Sequence, residues 1–80
     1  MFKEYTTKPQ VRAACVIETD GKLEQENTKL WAYHHNAGSV YFMAYSEPKV
    51  GDYIVRNSEH DIYHVDQATF LNSYTEVSHD

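Results

Sequence analysis

The sequence predicts an α+β domain with a mostly antiparallel sheet of about four strands, one longer helix and one short C-terminal helix. Three observations predict this fold. Runs rich in β-branched and aromatic residues predict strands at 10–19, 39–45, 53–56 and 61–65. Leucine and aromatic residues at helical spacing predict a helix over 22–36. Asp66, a typical N-cap, precedes a short apolar segment. The 80 residues form one domain, 1–80.

The first strand runs from Gln10 to Thr19, after Pro9, which suits the first residue of a strand or an edge. Alternation places four side chains on one face: Val11, Ala13, Cys15 and Ile17. Asp20-Gly21 is a turn signal. Cys15 is the single cysteine, so no intrachain disulfide forms, and we expect a buried, inert thiol.

The predicted helix over 22–36 rests on side chains spaced for one helical face: Leu23, Glu26, Leu30 and Tyr33. Gly38 then serves as a C-terminal stop. Asn27-Thr28 interrupts the pattern, because both residues disfavour a helix interior. The alternative is a loop or a short strand across Leu30 to Tyr33.

The second half contains the clearest elements. Ser39 to Tyr45 is apolar or aromatic on both faces, which indicates a central strand or one whose outer face meets a helix or a partner. Gly51-Asp52 opens a β-hairpin of Tyr53–Arg56 and Asp61–Val65, with a polar turn over 57–60. Asp66 caps a helix over Gln67–Tyr74, which docks on the sheet, and 75–80 form a tail.

This hairpin and the segment after it resemble a family of small phage and prophage proteins with the pattern PGDWIVRGxxGEFYPCKPDxFxxxYE. The matching residues are Gly51, Asp52, Ile54, Val55, Arg56, Tyr63, Phe70 and Tyr74, and Glu76 lies one position beyond the final Glu of the pattern. Tyr53, Asp61 and Ile62 stand for its Trp, Glu and Phe. The N-terminus is similar to the opening Y-x-x-KP-x-V-x-A, through Tyr5, Lys8-Pro9-Gln10-Val11 and Ala13.

The chain also departs from this pattern in other places. Val50 replaces a Pro, Asn57 and His60 replace Gly, and 64–67 replace PCKP. The resemblance covers most of the chain except roughly 20–50. It implies a phage origin and a shared fold, but the family has no assigned chemistry to carry over.

The net charge of −5 lies entirely in the second half. Residues 1–40 carry five basic and five acidic side chains, whereas 41–80 carry two and seven. Such a field repels phosphate backbones and favours partners with a basic surface, although it also serves solubility alone. No apolar run has the length of a membrane span and no signal peptide is visible, so we expect a cytoplasmic protein without membrane or direct nucleic-acid contact.

Aromatic residues are the best indication of a binding surface. Seven Tyr, three Phe and one Trp are many for a small acidic domain, and Tyr is enriched at interfaces. The predicted partner-binding residues are Tyr41, Tyr45, Asp52, Tyr53, Glu59, Asp61 and Tyr63. Ordinary packing of aromatic residues on a sheet is the alternative.

Catalytic and metal motifs are absent from the sequence, which predicts a non-enzyme without cofactor. There is no phosphate-binding loop, and Cys15 has no electropositive neighbours in sequence. His60 and His64 lie on one strand, roughly 13 Å apart at about 3.3 Å per residue. His34 and His35 would point about 100° apart on a helix. We therefore expect no metal site at either pair.

The preferred hypothesis is a non-enzymatic phage accessory protein that inhibits a host protein, as in anti-defence, anti-CRISPR or host-takeover roles. The first alternative is an oligomeric binder or sponge for a small ligand such as a nucleotide signal, with Arg12, Lys49 and Arg56 on its phosphates. A minor virion assembly component is another. A hydrolase or metal enzyme is least favoured. The small core leaves monomer and homodimer both open.

Overall fold

The computed structural model describes residues 2–7 and 10–76, which form one predominantly β domain. Its elements are β1 (Lys3–Thr7), β2 (Gln10–Val16), β3 (Lys22–Gln25), β4 (Leu30–His35), β5 (Gly38–Met43), β6 (Tyr53–Ser58), β7 (Asp61–Val65), α1 (Gln67–Ser73) and β8 (Thr75–Glu76). The prediction of an α+β fold with a long helix is wrong, because most of the chain is strand and α1 is short.

The strands form one mixed sheet in the order β3-β4-β5-β7-β6-β2-β1-β8. Every neighbouring pair is antiparallel except β5 and β7, which run parallel and pair at Met43 and Tyr63. The sheet therefore joins the β3–β4–β5 meander to the β6–β7 hairpin through a short parallel contact.

Residues 22–36 form a hairpin, and the predicted helix there does not exist. Lys22 pairs with His34 and Gln25 with Trp31. Asn27 makes the turn, because its Oδ1 accepts hydrogen bonds from the backbone N–H groups of Lys29 (3.1 Å) and Leu30 (2.9 Å). The polar break at Asn27-Thr28 thus marks a turn. The alternative of a short strand from Leu30 agrees better with the observed β4 than the helix does.

The glycine predicted to end that helix begins β5 instead. Gly38 has a φ of 131°, which favours glycine, and it follows the tight turn over 36–37. This turn makes β4 and β5 antiparallel neighbours, in which Tyr33 pairs with Val40 and His35 with Gly38.

Several predicted elements are confirmed. The hairpin of β6 and β7 lies where the sequence indicates, whereas β2 ends at Val16 instead of Thr19 and β5 spans Gly38–Met43 instead of 39–45. The predicted Asp20-Gly21 turn extends over 19–21. Asp66 is the N-cap of α1, and its carboxylate accepts from the Thr69 N–H at 3.1 Å. Thr75–Glu76 pair with β1 and do not begin a free tail. The expectations for Pro9 and for 77–80 lie outside the described residues.

The core lies on both faces of the sheet. The inner cluster comprises Cys15, Ile17, Tyr33, Val40, Phe42, Ala44 and Ile54. Strands β2 and β4 are not neighbours in the sheet, yet the N–H of Glu18, just after β2, donates to the Tyr33 hydroxyl at 3.0 Å. The sheet therefore curls around this cluster.

The outer face is covered by α1 over only part of its width. Phe70 stacks on Tyr53 with ring centroids 3.7 Å apart, and on Tyr74 at 4.6 Å. Tyr5 meets Phe70 edge-on at 4.8 Å. Such aromatic pairs add to the free energy of burial. Among the described residues, no helix has both the length and the apolar character that a membrane span requires.

Candidate functional site

The structure separates the predicted partner-binding residues into two groups. Tyr41 and Tyr45 are 53% and 83% exposed, and Glu59 and Asp61 are exposed on or beside the β6–β7 turn. The other three, Asp52, Tyr53 and Tyr63, lie wholly or partly inside the fold. One continuous surface of all seven residues is therefore not formed.

Asp52 anchors the loop before β6 to the start of α1. It is only 8% exposed, so little of this residue is accessible to a partner. Its carboxylate accepts from the backbone N–H of Lys49 (Oδ2, 3.0 Å) and of Gln67 (Oδ1, 3.0 Å). His64 Nε2 lies 2.8 Å from Oδ2. The carboxylate thus satisfies one loop amide and the amide of the first residue of α1, which would otherwise lack a partner.

His64 is corrected, because the sequence indicated a surface histidine at a strand end. Its side chain is 5% exposed and its Nε2 faces Asp52. Ser46 lines the same open pocket, so a Ser-His-Asp arrangement needs consideration. Within the described residues, no hydrogen bond joins Ser46 to His64, and both oxygens of Asp52 hold backbone amides. The pair acts as a structural anchor.

Tyr53 and Tyr63 belong to the aromatic packing under α1. Tyr53 carries the stacked contact with Phe70 described above. Burial, reinforced by a hydrogen bond with Tyr74, raises the pKa of Tyr63 to about 12. These two half-buried residues therefore pack within the fold, and their contact with a partner stays a prediction.

Tyr41 and Glu59 do come together, in a shallow groove between β5 and the β6–β7 turn. The groove has a volume of about 160 Å³. We call it the Tyr41 groove; its lining residues are Leu30, Tyr41, Phe42, Met43, Glu59, His60 and Ile62. Since β5 pairs with β7 only at Met43, the start of β5 has no strand partner on this side within the described residues.

Tyr45 lies apart from this groove. It follows the end of β5 and lines a different pocket, together with Trp31 and Glu47. The Lys29 ammonium lies 5.2 Å from the Tyr45 ring centroid, within the range of a cation–π contact. The exposed tyrosines are therefore two separate features.

The three basic residues considered for a phosphate ligand do not converge. Lys49 lines the pocket beside Asp52. The Arg56 guanidinium lies 4.6 Å from the Phe2 ring centroid. Because Ala13 pairs with Arg56, Arg12 points to the opposite face of the sheet. A common phosphate site for these residues is not formed.

One cluster of side chains was not predicted from the sequence. Glu18, Asp20 and His35 bring their potential ligand atoms within 4.8 Å of one another. His35 was placed at the end of a helix, far from the turn at 19–21. Only the hairpin of β3 and β4 returns His35 to that turn, so the useful signal was the turn at Asn27.

Comparisons with models of known protein families, with curated proteins and with solved structures find no match. The function is therefore argued from the residues and their geometry.

Proposed function

We propose that this protein is a non-enzymatic binding protein that holds a basic segment of a protein partner in the Tyr41 groove. The observation that carries the proposal is that an exposed aromatic ring, an exposed methionine and an exposed carboxylate line one groove: Tyr41, Met43 and Glu59.

The chemistry of the groove suits an arginine or lysine side chain. The guanidinium stacks on the Tyr41 ring, a cation–π contact worth about 0.5–1 kcal/mol at an exposed site. Glu59 supplies the opposite charge, and Asp61 adds a second carboxylate just beyond the turn. Met43 and Leu30 provide apolar contact for the methylene groups of the partner. The net charge of −5 steers such a partner to the protein.

The start of β5 adds backbone hydrogen-bonding groups to these side chains. An extended segment of the partner can pair with Gly38 to Tyr41, the part of β5 that β7 does not reach. Pairing of this kind contributes affinity, while Tyr41 and Glu59 select for a basic side chain.

The resemblance to small phage and prophage proteins favours a particular setting for this binding. In that setting the protein acts in the host cytoplasm as an accessory factor that occludes a basic surface of a host protein. Nucleases, CRISPR effectors and polymerases have such surfaces, because they bind phosphate backbones.

Capture of partners from host lysate tests the proposal. Wild type is compared with the double variant Tyr41→Ala/Glu59→Gln and with a matched control, Tyr45→Ala/Glu24→Gln, which alters the same residue types at exposed positions elsewhere. We expect wild type and the control to retain the same protein at low salt and to release it as salt rises, because exposed ion pairs are screened. The double variant should not retain it.

Two outcomes would contradict the proposal. One is equal capture by the double variant and wild type. The other is a lysate that yields no protein for a folded sample, which would favour a ligand sponge or a virion component. Sedimentation velocity on the same samples distinguishes a monomer from a homodimer, and a dimer abolished by Tyr41→Ala would place a second copy in the groove instead.

A further inference from the structure

The turn between β2 and β3 and the end of β4 bring three ligand-type side chains together. His35 Nε2 lies 3.3 Å from Asp20 Oδ1 and 3.6 Å from Glu18 Oε2. The two carboxylates are exposed, while the His35 side chain is 19% exposed. Imidazole nitrogen with carboxylate oxygen is a donor set that divalent transition metals use.

His35 Nε2 is the atom that singles out this cluster. It is shielded from solvent and has no hydrogen-bond partner, the one such buried side-chain atom in the part of the chain that the structure describes. Neither carboxylate is placed to accept a hydrogen bond from it, despite their proximity. A buried polar atom without a hydrogen bond destabilises the fold, so a ligand that satisfies it is favoured.

The separations match those of ligands around one ion. Two ligands that share a Zn²⁺, each about 2.1 Å from it and near a tetrahedral angle, lie about 3.4 Å apart. The observed distances of 3.3 and 3.6 Å are close to this value. The two separations that involve His35 therefore suit ligands of one ion, and all three ligand atoms lie within 4.8 Å of one another.

The turn that carries the two carboxylates is held in place by a buried residue. Tyr33 is 1% exposed, and its hydroxyl accepts from the Glu18 N–H at 3.0 Å. The Gly21 N–H donates to the Glu18 carbonyl at 3.3 Å. A Cβ on Gly21 would lie 2.3 Å from Tyr33 Cε1, so the turn packs directly on the ring. The cluster is thus positioned by the core.

We propose that Glu18, Asp20 and His35 form a binding site for a divalent transition metal ion, with Zn²⁺ as the best fit. Solvent completes the coordination, since both carboxylates face water. A bound ion connects the turn after β2 with the end of β4. Because β2 and β4 are not adjacent in the sheet, the ion closes the curl of the sheet. Metal binding of this kind stabilises small domains whose cores are limited.

The other ring nitrogen of His35 limits the affinity. The Ala37 N–H points at Nδ1 with a long separation of 3.4 Å. Metal on Nε2 leaves the proton of the neutral ring on Nδ1, so this weak hydrogen bond is lost on binding. With three protein ligands and no strong partner for Nδ1, we expect affinity weaker than that of a four-ligand structural site.

Calorimetric titration of the tag-free protein with ZnCl₂ at pH 7 tests the site. We expect one equivalent of Zn²⁺ to bind, with Mg²⁺ and Ca²⁺ binding far more weakly because they prefer oxygen-only sites. His35→Gln and Asp20→Asn should each weaken Zn²⁺ binding at least about tenfold. His34→Gln is the matched control: His34 lies 3.6 Å from Glu24, but they belong to no three-residue cluster of the described residues. It should bind as wild type does.

A thermal measurement gives an independent readout. Zn²⁺ in excess should raise the Tm of wild type and of His34→Gln by several degrees, because it binds only the folded state. The Tm of His35→Gln should not change with Zn²⁺. Absence of binding to wild type would overturn the proposal and leave a histidine–carboxylate ion pair. Equal binding by wild type and His35→Gln would overturn it as well.

Discussion

Two histidine–carboxylate groups in this small domain differ in how completely their polar atoms are hydrogen-bonded. Asp52 and His64 are buried together at 2.8 Å, and Asp52 also accepts from two backbone amides. His35 lies beside Asp20 and Glu18 at longer distances, and its buried Nε2 has no hydrogen-bond partner. The first pair joins a loop to α1, whereas the second joins a turn to a strand end.

The difference teaches how the same residue types acquire different roles. Each oxygen of the Asp52 carboxylate accepts a backbone N–H, and Oδ2 also faces His64, so Asp52 contributes to stability. A histidine nitrogen facing exposed carboxylates without a hydrogen bond retains the capacity to bind a ligand. Whether the polar atoms already have hydrogen-bond partners, more than residue type or burial, distinguishes a structural pair from a candidate binding site.

The largest effect should come from breaking the satisfied pair. Asp52→Ala leaves the N–H groups of Lys49 and Gln67 and the ring of His64 without their acceptor. We expect a loss of about 3 kcal/mol in the free energy of unfolding. Urea denaturation at pH 7 measures it.

The control for that variant is Asp61→Ala. Asp61 is exposed and accepts one side-chain hydrogen bond, from Asn57 at 2.9 Å. Its loss should change stability by no more than about 0.5 kcal/mol. Similar losses in the two variants would mean that Asp52 is not the anchor described above.

A smaller effect should follow from disturbing the turn that positions the second cluster. Gly21→Ala places a methyl group 2.3 Å from Cε1 of the buried Tyr33 ring, so the ring or the turn must shift. We expect destabilisation of about 2 kcal/mol, the usual cost of overpacking. Thr19→Ala in the same turn is exposed and should be close to neutral. Equal unfolding curves for Gly21→Ala and wild type would show that the turn is not packed on Tyr33.

Cys15 extends the comparison to a buried titratable group with mainly apolar neighbours. Burial raises the pKa of its thiol from 9.0 to about 11. As the pH rises above 9, the unfolded state loses this proton first, so the free energy of unfolding should fall between pH 9 and about 11. Cys15→Ala lacks this contribution, and urea denaturation at pH 8, 9 and 10 compares the two. Parallel pH profiles would contradict the prediction.

The smallest effect should come from His35→Gln without metal. The variant keeps most of the side-chain volume and removes a ring nitrogen that makes no hydrogen bond. We expect the free energy of unfolding to change by less than about 1 kcal/mol, against about 3 kcal/mol for Asp52→Ala. A large loss in metal-free buffer would mean that His35 acts as a structural ion pair.

Local chemistry predicted a good part of the fold. The β6–β7 hairpin, the central strand β5 and the capped helix α1 each depend on neighbouring residues, such as Asp66 and the Thr69 N–H. Residues 22–36 were misassigned because Leu23, Leu30 and Tyr33 fit a helical period by coincidence. In the hairpin both faces of β4 are partly buried, so the alternation that marks a strand is hidden in the sequence.

The candidate sites were harder to predict, because they combine residues from separate strands. Tyr41 and Glu59 were both predicted, and the sheet order places them in one groove. Tyr53 and Tyr63 were predicted as well, but α1 and Tyr74 cover that part of the sheet. His35 was dismissed, since its relation to Glu18 and Asp20 depends on the long-range return of β4.

By itself the sequence determined the turn at 19–21, the β6–β7 hairpin, the capped helix and the acidic second half, because each follows from residues close in the chain. Tertiary structure alone decided which carboxylates are satisfied. The curl of the sheet buries Asp52 against His64, and it leaves Asp20 and Glu18 exposed beside His35. Burial and hydrogen-bond satisfaction depend on what packs from elsewhere in the chain, so no local pattern contains them.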